Sequence, residues 1–356
     1  MAYISFQPSD QFNTVLYNSD SGTPLTVTGV GFQPDYVWVK DRQGGGAYVN
    51  VDAVRGSTEW LGSNSSGAQV ARSDQITSFD SDGWSLGADT GNFINDSTHS
   101  NASWNWKAGT TTGIDTTGST ITPIGYSFNA AAGFSIVEYT GNDTAGALVP
   151  HGLGVAPDVV MVKALGSGNS WVVQQKYMGP TKYMYLDTTA QEAAATTRWN
   201  DTAPTAVNVV LGSGGNTNGS GGDSPFIMYS FANTEGFFHT GEYRGNGSAT
   251  VPPFIFTGFR PALVIFKSYN YTAGWFIFDD KRQVGNGTAG GYLLANDAAA
   301  EVTGTGGLTG MDFYSNGFRV PYSNDDVLNG DGYGYLYMAF ASNPFVSSND
   351  IPATAF

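Results

Sequence analysis

Gly31-Phe-Gln-Pro-Asp-Tyr-Val-Trp-Val-Lys40 returns as Gly154-Val-Ala-Pro-Asp-Val-Val-Met-Val-Lys163 and again as Gly258-Phe-Arg-Pro-Ala-Leu-Val-Ile-Phe-Lys267. In each copy a Pro opens an apolar run and a Lys closes it six residues later. An aromatic follows eight residues after each Lys, at Tyr48, Trp171 and Trp275. Two spacings kept in three copies mark one folding unit used three times. Pro is tolerated at the first residue of a strand, where no ladder N–H is missed. The run behind it is β-branched or aromatic at consecutive positions, which predicts a strand buried on both faces.

Outward from that strand the same unit recurs. Phe12–Tyr17, Phe134–Tyr139 and Phe237–Tyr243 precede it. Trp60-Leu61, Tyr185-Leu186 and Tyr292-Leu293 follow it. Phe79-Asp-Ser-Asp-Gly-Trp84 and Phe313-Tyr-Ser-Asn-Gly-Phe318 predict hairpins, because Asp-Gly and Asn-Gly adopt positive φ cheaply. The second unit lacks that signal and carries Gly212–Gly222 instead, which reads as a flexible exposed loop. Each unit closes on an aromatic strand: Ser103–Trp106, Met228–Phe231 and Met338–Phe340. No stretch keeps a helical period; Ala190–Arg198 is read as one short helix or a loop.

The reading is all-β: three tandem antiparallel β-sandwich units of jelly-roll or lectin-like kind. Residues 1–108 form the first. Residues 109–131 are a Thr/Gly-rich linker with a lead-in strand. Residues 132–233 and 234–343 form the second and third, and 344–356 a tail. The short connection at Asn233–Gly236 favours close packing of the last two units.

The chain has 356 residues, net charge −15, 14% aromatics and no cysteine. The aromatic content argues against disorder. So acidic a surface argues against nucleic acid and anionic membranes. Disulfides and thiolate zinc sites are excluded. No secretory signal and no membrane-spanning run is visible, so the expectation is a product made in a cytoplasm and not inserted in a membrane.

Chemistry-bearing residues are sparse. Lys40, Lys163 and Lys267 read as strand-end lysines whose stems pack while their heads reach water or a carboxylate. Glu138 and Glu242 correspond to each other, but Leu16 stands at that place in the first unit. Glycoside hydrolysis needs two carboxylates facing one bond, so these read as rim residues. Asp35 and Asp158 match, with Ala262 in the third unit. His99, His151 and His239 fall at different places in the repeat and form no duplicated ligand set. Gly83-Trp-Ser-Leu-Gly87 fits the nucleophile-elbow pattern, but no helical pattern follows, so it reads as turn and strand. Asp80–Gly83 and Asn324–Asp331 lack the glutamate of a calcium loop and read as turns. Asn101 sits in a glycosylation-like triplet that, without a signal, is a loop. No catalytic residue, cofactor or metal site is assigned. The aromatics that do not recur (Trp199, Tyr269, Tyr322 and Tyr333) are the candidate binding residues, as platforms for sugar rings.

Ala132–Asn142 with His151-Gly-Leu-Gly-Val-Ala-Pro-Asp158, Phe79–Trp84 and Trp104–Gly109 resemble a repeat of uncharacterised proteins of marine tailed bacteriophages. The third unit departs at Pro252-Pro-Phe-Ile-Phe256. The resemblance implies a virion structural protein of fibre-like, lectin-like or other surface kind, with no established activity to carry over. The expected role is a non-enzymatic tail fibre, spike or adhesion protein, made in the host cytoplasm and carried on the virion. It would present loops to a cell-surface glycan or protein beside other virion proteins, as a homo-oligomer, with a trimer expected. The alternatives are a capsid decoration or head-fibre protein and a glycan depolymerase.

Overall fold

The computed structural model describes residues 6–96, 98–248, 250–283, 285–286, 291–303, 310–320 and 326–344. Its three large sheets share one plan. The first runs, in spatial order, Phe12–Asn18, Ser100–Trp106, Tyr36–Asp41, Val49–Asp52, Gly56–Leu61 and Val70–Ala71. The third runs Phe238–Arg244, Gly334–Pro344, Phe259–Ser268, Phe276–Asp279, Gly291–Leu294 and Val302–Thr303. The second runs Phe134–Tyr139, Phe226–Phe231, Val159–Ala164, Val172–Gln175, Lys182–Tyr185 and Ala193–Ala194, with Pro123–Asn129 added on its outer edge. All neighbours are antiparallel, and each proline strand lies between its closing strand and its successor. Four consecutive strands from the proline strand onward form a meander in one sheet. The fold therefore departs from the jelly roll, whose strands divide between two sheets as paired Greek keys.

A small sheet covers one face of each large one. Leu25–Thr28, Gly83–Leu86 and Ile76–Asp80 form it in the first unit; Phe254–Phe256, Gly317–Arg319 and Asp312–Tyr314 form it in the third. The hairpins close where the Gly signals predict, with Asp80 opposite Gly83 and Tyr314 opposite Gly317. The second unit, which lacks the signal, has only Ala147–Pro150 paired with Asn208–Leu211.

The other faces of the three large sheets meet in one apolar core. Tyr36, Trp38 and Trp104 come to it from the first sheet, Met161, Trp171 and Tyr229 from the second, and Ile265, Trp275 and Met338 from the third. Tyr36 and Tyr229 meet at 4.6 Å between ring centroids, and Phe12 and Phe340 at 5.2 Å. Three outer cores fill the gaps between each large sheet and its small one. This is why all six residues of Tyr36–Asp41 and of Val159–Ala164 are buried: one face serves the shared core and the other the local sandwich.

The units close into a ring by one repeated contact. Gln69 N–H donates to Leu165 O at 2.9 Å, Glu192 N–H to Tyr269 O at 2.9 Å, and Glu301 N–H to Arg42 O at 2.8 Å. Each acceptor lies two residues past the repeated lysine of the next unit, and the third contact returns to the first unit. Trp171 Nε1–H donates to Gly62 O and Trp275 Nε1–H to Tyr185 O across the same boundaries in the opposite sense. Three sandwiches therefore surround one pseudo-threefold core.

A buried asparagine locks each sandwich. Asn95, Asn218 and Asn329 accept the backbone N–H of Asp20, Asn142 and Asn246 respectively, just past the first strand. The Tyr17, Tyr139 and Tyr243 hydroxyls donate to the carbonyl of the residue before each asparagine. This corrects the reading of Gly212–Gly222 as a flexible exposed loop. Thr217 and Asn218 inside it are fully buried, and Gly212 packs on the Thr196–Trp199 helical turn so closely that a Cβ would meet backbone at 2.3 Å.

Candidate binding surface

The repeated lysines do not reach water or a carboxylate. All three side chains are buried and their ammonium groups donate to backbone carbonyls. Lys40 Nζ bonds Asp41 O and Gly44 O, and Lys163 Nζ bonds Ala164 O and Ser167 O. Lys267 Nζ bonds Ala273 O and, across the unit boundary, Thr189 O. Burial lowers each lysine to about 8. They bond carbonyls at the strand end and in the segment after it, a structural role.

The matched aspartates anchor connections. Asp35 accepts the N–H of Ala108 and the hydroxyl of Ser127, where the chain leaves for the second unit. Asp158 accepts the N–H of Asn233, where the chain leaves for the third. In the third unit, where Ala262 stands, Gly334–Pro344 instead continues in the sheet beside Phe259–Ser268.

The histidines are separate. His99 pairs with Asp41 at 2.8 Å, which raises its pKa, and His239 lies 2.8 Å from the Tyr337 hydroxyl. His151 is buried and lowered to about 4 by desolvation. Its Nδ1 accepts from Leu153 N–H, so the proton sits on Nε2, which donates to Thr205 O. Ser85 donates to Asp80 at 2.7 Å on a strand, and the next element is the strand Ser100–Trp106, not a helix. Asp82 is taken by the N–H groups of Gly29 and Gly31. Residues 324 and 325 of the other acidic turn lie outside the described residues. Glu242 is exposed on an edge strand; Glu138 is half-buried, and burial raises its pKa. Among the described residues no three His, Cys, Asp or Glu gather to hold a metal.

Of the four non-recurring aromatics, the three described ones, Trp199, Tyr269 and Tyr333, do not form a platform together. Trp199 is fully buried in the core of the second sandwich and has no face for a sugar, because its helical turn packs beneath the small sheet. Tyr269 is half-buried against the shared core, with its ring over Gly334. Tyr333 is half-buried against Tyr271, 4.6 Å between centroids. Tyr322 lies outside the described residues.

A different aromatic face is open. On the small sheet of the third unit, Phe254 and Phe256 point outward, 49% and 62% exposed, while Ile255 between them points into the core. Tyr314 packs edge-on against Phe254 at 5.7 Å, and Val251 is exposed at the strand entrance. Arg319, opposite Phe254, pairs with Asp312, which also receives the Tyr314 hydroxyl at 3.4 Å. Gly317 is required: a Cβ there would lie 2.1 Å from Ile255 O and 2.9 Å from the Phe254 ring. The same registers in the first unit put Thr26, Thr28, Ser78, Asp80 and Ser85 at these outward positions. One copy of the sheet is hydroxylic outside and the other aromatic with a charged pair. The alternating Phe-Ile-Phe was visible in the sequence, but its outward phase depends on which face the small sheet turns to the core.

A family model described as a domain of unknown function, DUF7483, matches residues 7–344. The chain belongs to the DUF7483 family. The matched span runs through all three large sheets, so the DUF7483 domain here takes in the whole ring. No curated protein and no solved structure matches the chain.

Proposed function

We propose that this DUF7483 protein is a non-enzymatic, exterior component of a tailed-phage virion that adheres to a cell-surface glycan. The observation that carries the reading is the outward aromatic face of Phe254, Phe256 and Tyr314, beside the Arg319–Asp312 pair. Pyranose C–H faces stack on aromatic rings, and an arginine–aspartate pair offers a donor and an acceptor to ring hydroxyls. A rigid scaffold holds that face, since Ile255 and Phe318 behind it are core residues. The test is binding of the purified protein to host cells and to their extracted surface glycans. Phe254→Thr with Phe256→Thr, which copies the first unit, should abolish binding while far-ultraviolet dichroism stays unchanged. Undiminished binding by the double variant would overturn the assignment of the face.

A second reading, capsid decoration, is favoured by the pseudo-threefold ring, which matches a threefold position on a shell. Reconstruction of the whole particle separates the two: density on tail appendages supports adhesion, and density at capsid threefold positions supports decoration.

A further inference from the structure

The second sandwich differs from its siblings beside its small sheet. Its small sheet has two strands instead of three, and beside it lies a cleft of about 160 Å³. Pro157, Pro180 and Pro204 give the cleft apolar walls, and Asp158 and Lys176, paired at 3.0 Å, stand at its rim. Gln174 lines it and is only 4% exposed. No protein group bonds the Gln174 carboxamide among the described residues, and its polar atoms are not sealed from solvent, so they open on the cleft. The equivalent positions, two residues beyond Val49 and Phe276 as Gln174 is beyond Val172, hold Val51 and Phe278, each 1% exposed and in the core. The second unit thus replaces a core apolar residue with an unpartnered amide, at the one sandwich where a missing strand leaves room.

We propose that this cleft binds the acetamido group of an N-acetylated sugar. A carboxamide offers one acceptor and two donors in a plane. Gln174 Oε1 accepts the acetamido N–H, and Gln174 Nε2 donates to the acetamido carbonyl. The acetyl methyl lies against the prolines, and Lys176, largely in solvent, reaches the ring hydroxyls. The volume suits the ligand: an apolar cavity of about 150 Å³ holds one benzene-sized ring. An amide site rejects analogues that leave its donor and acceptor unpaired. The site is separate from the Phe254–Phe256 face and does not depend on it.

The experiment is saturation-transfer NMR on the full chain carrying Phe254→Thr and Phe256→Thr, which removes the aromatic face as a second sugar site, with N-acetylglucosamine, glucose and glucosamine in turn. N-acetylglucosamine should bind with Kd about 1 mM, its acetyl methyl protons receiving the strongest saturation, and the other two should give no signal. Gln174→Val, which installs the first unit's residue, should abolish the signal without lowering the thermal midpoint. Gln174→Glu should also abolish it by removing the donors. Absence of a signal, equal saturation of glucose, or a signal that survives both Gln174 variants would overturn the proposal.

Discussion

The Tyr229 phenol of the second sheet donates to the Asp52 carboxylate of the first at 2.7 Å, and both side chains are fully buried. Asp52 also holds Arg55 at 2.6 Å. The relationship recurs one step round the ring: Trp104 of the first sheet donates to Asp279 of the third, which holds Arg282 at 2.6 Å. At the remaining boundary Gln175 donates to Thr240. Each boundary is sealed at the same strand end, twice by a buried ion pair and once by a neutral amide.

Asp52→Ala leaves the Arg55 guanidinium buried without its carboxylate, a loss of about 3–5 kcal/mol. Urea unfolding should show the midpoint falling in one transition, because the shared core couples the units. A loss below about 1 kcal/mol would contradict the role given to this pair.

Between pH 8 and about 10 the unfolded lysines still hold protons that Lys40, Lys163 and Lys267, each lowered to about 8, release in the folded state. The unfolded state then binds more protons, so stability rises with pH, by up to about 1.4 kcal/mol per lysine per pH unit. Urea midpoints from pH 7.5 to 9.5 should climb, and Lys163→Met should reduce the slope by about a third.

His151, lowered to about 4, acts at acid pH. The unfolded imidazole takes a proton below its ordinary pKa near 6.5 and the folded one does not until about 4, so stability falls as pH drops through that window. The full swing is about 3 kcal/mol. Asp280, raised to about 6 by burial, slopes the opposite way over part of the same range. The informative quantity is therefore the difference between the protein and His151→Gln, which should shrink steadily from pH 7 to pH 4.

Trp199→Ala removes a fully buried indole from the second sandwich and should cost about 3–5 kcal/mol. The variant should keep the glycan binding proposed for the Phe254–Phe256 face at 10 °C, where enough protein stays folded. Loss of glycan binding with the fold intact would return Trp199 to the binding surface.

Much of this architecture was legible in the chain. Pro157 ahead of Asp158-Val-Val-Met-Val-Lys163 announced a strand buried on both faces, and Asp82-Gly83 and Asn316-Gly317 announced two hairpins. These are local statements: one residue's φ, one missing N–H, one run of side chains. The absence of an Asp-Gly or Asn-Gly between two aromatic strands in the second unit was equally local, and the third strand of its small sheet is missing.

Partners were not legible. Lys163 and Lys40 look like surface residues because a lysine's burial depends on carbonyls that turns bring to it. Asp35 and Asp158 looked like a failed site because their ligands, Ala108 N–H and Asn233 N–H, lie 73 and 75 residues away. Gln174 gave no signal, since an amide in a strand is notable only once its surroundings prove apolar and unpaired. The sequence by itself determined what each segment is, through backbone geometry and hydrophobic period. Only the tertiary structure decided what each segment faces, because closing three sheets on one core fixes the two faces of every strand together, and with them which polar groups find partners and which are left for a ligand.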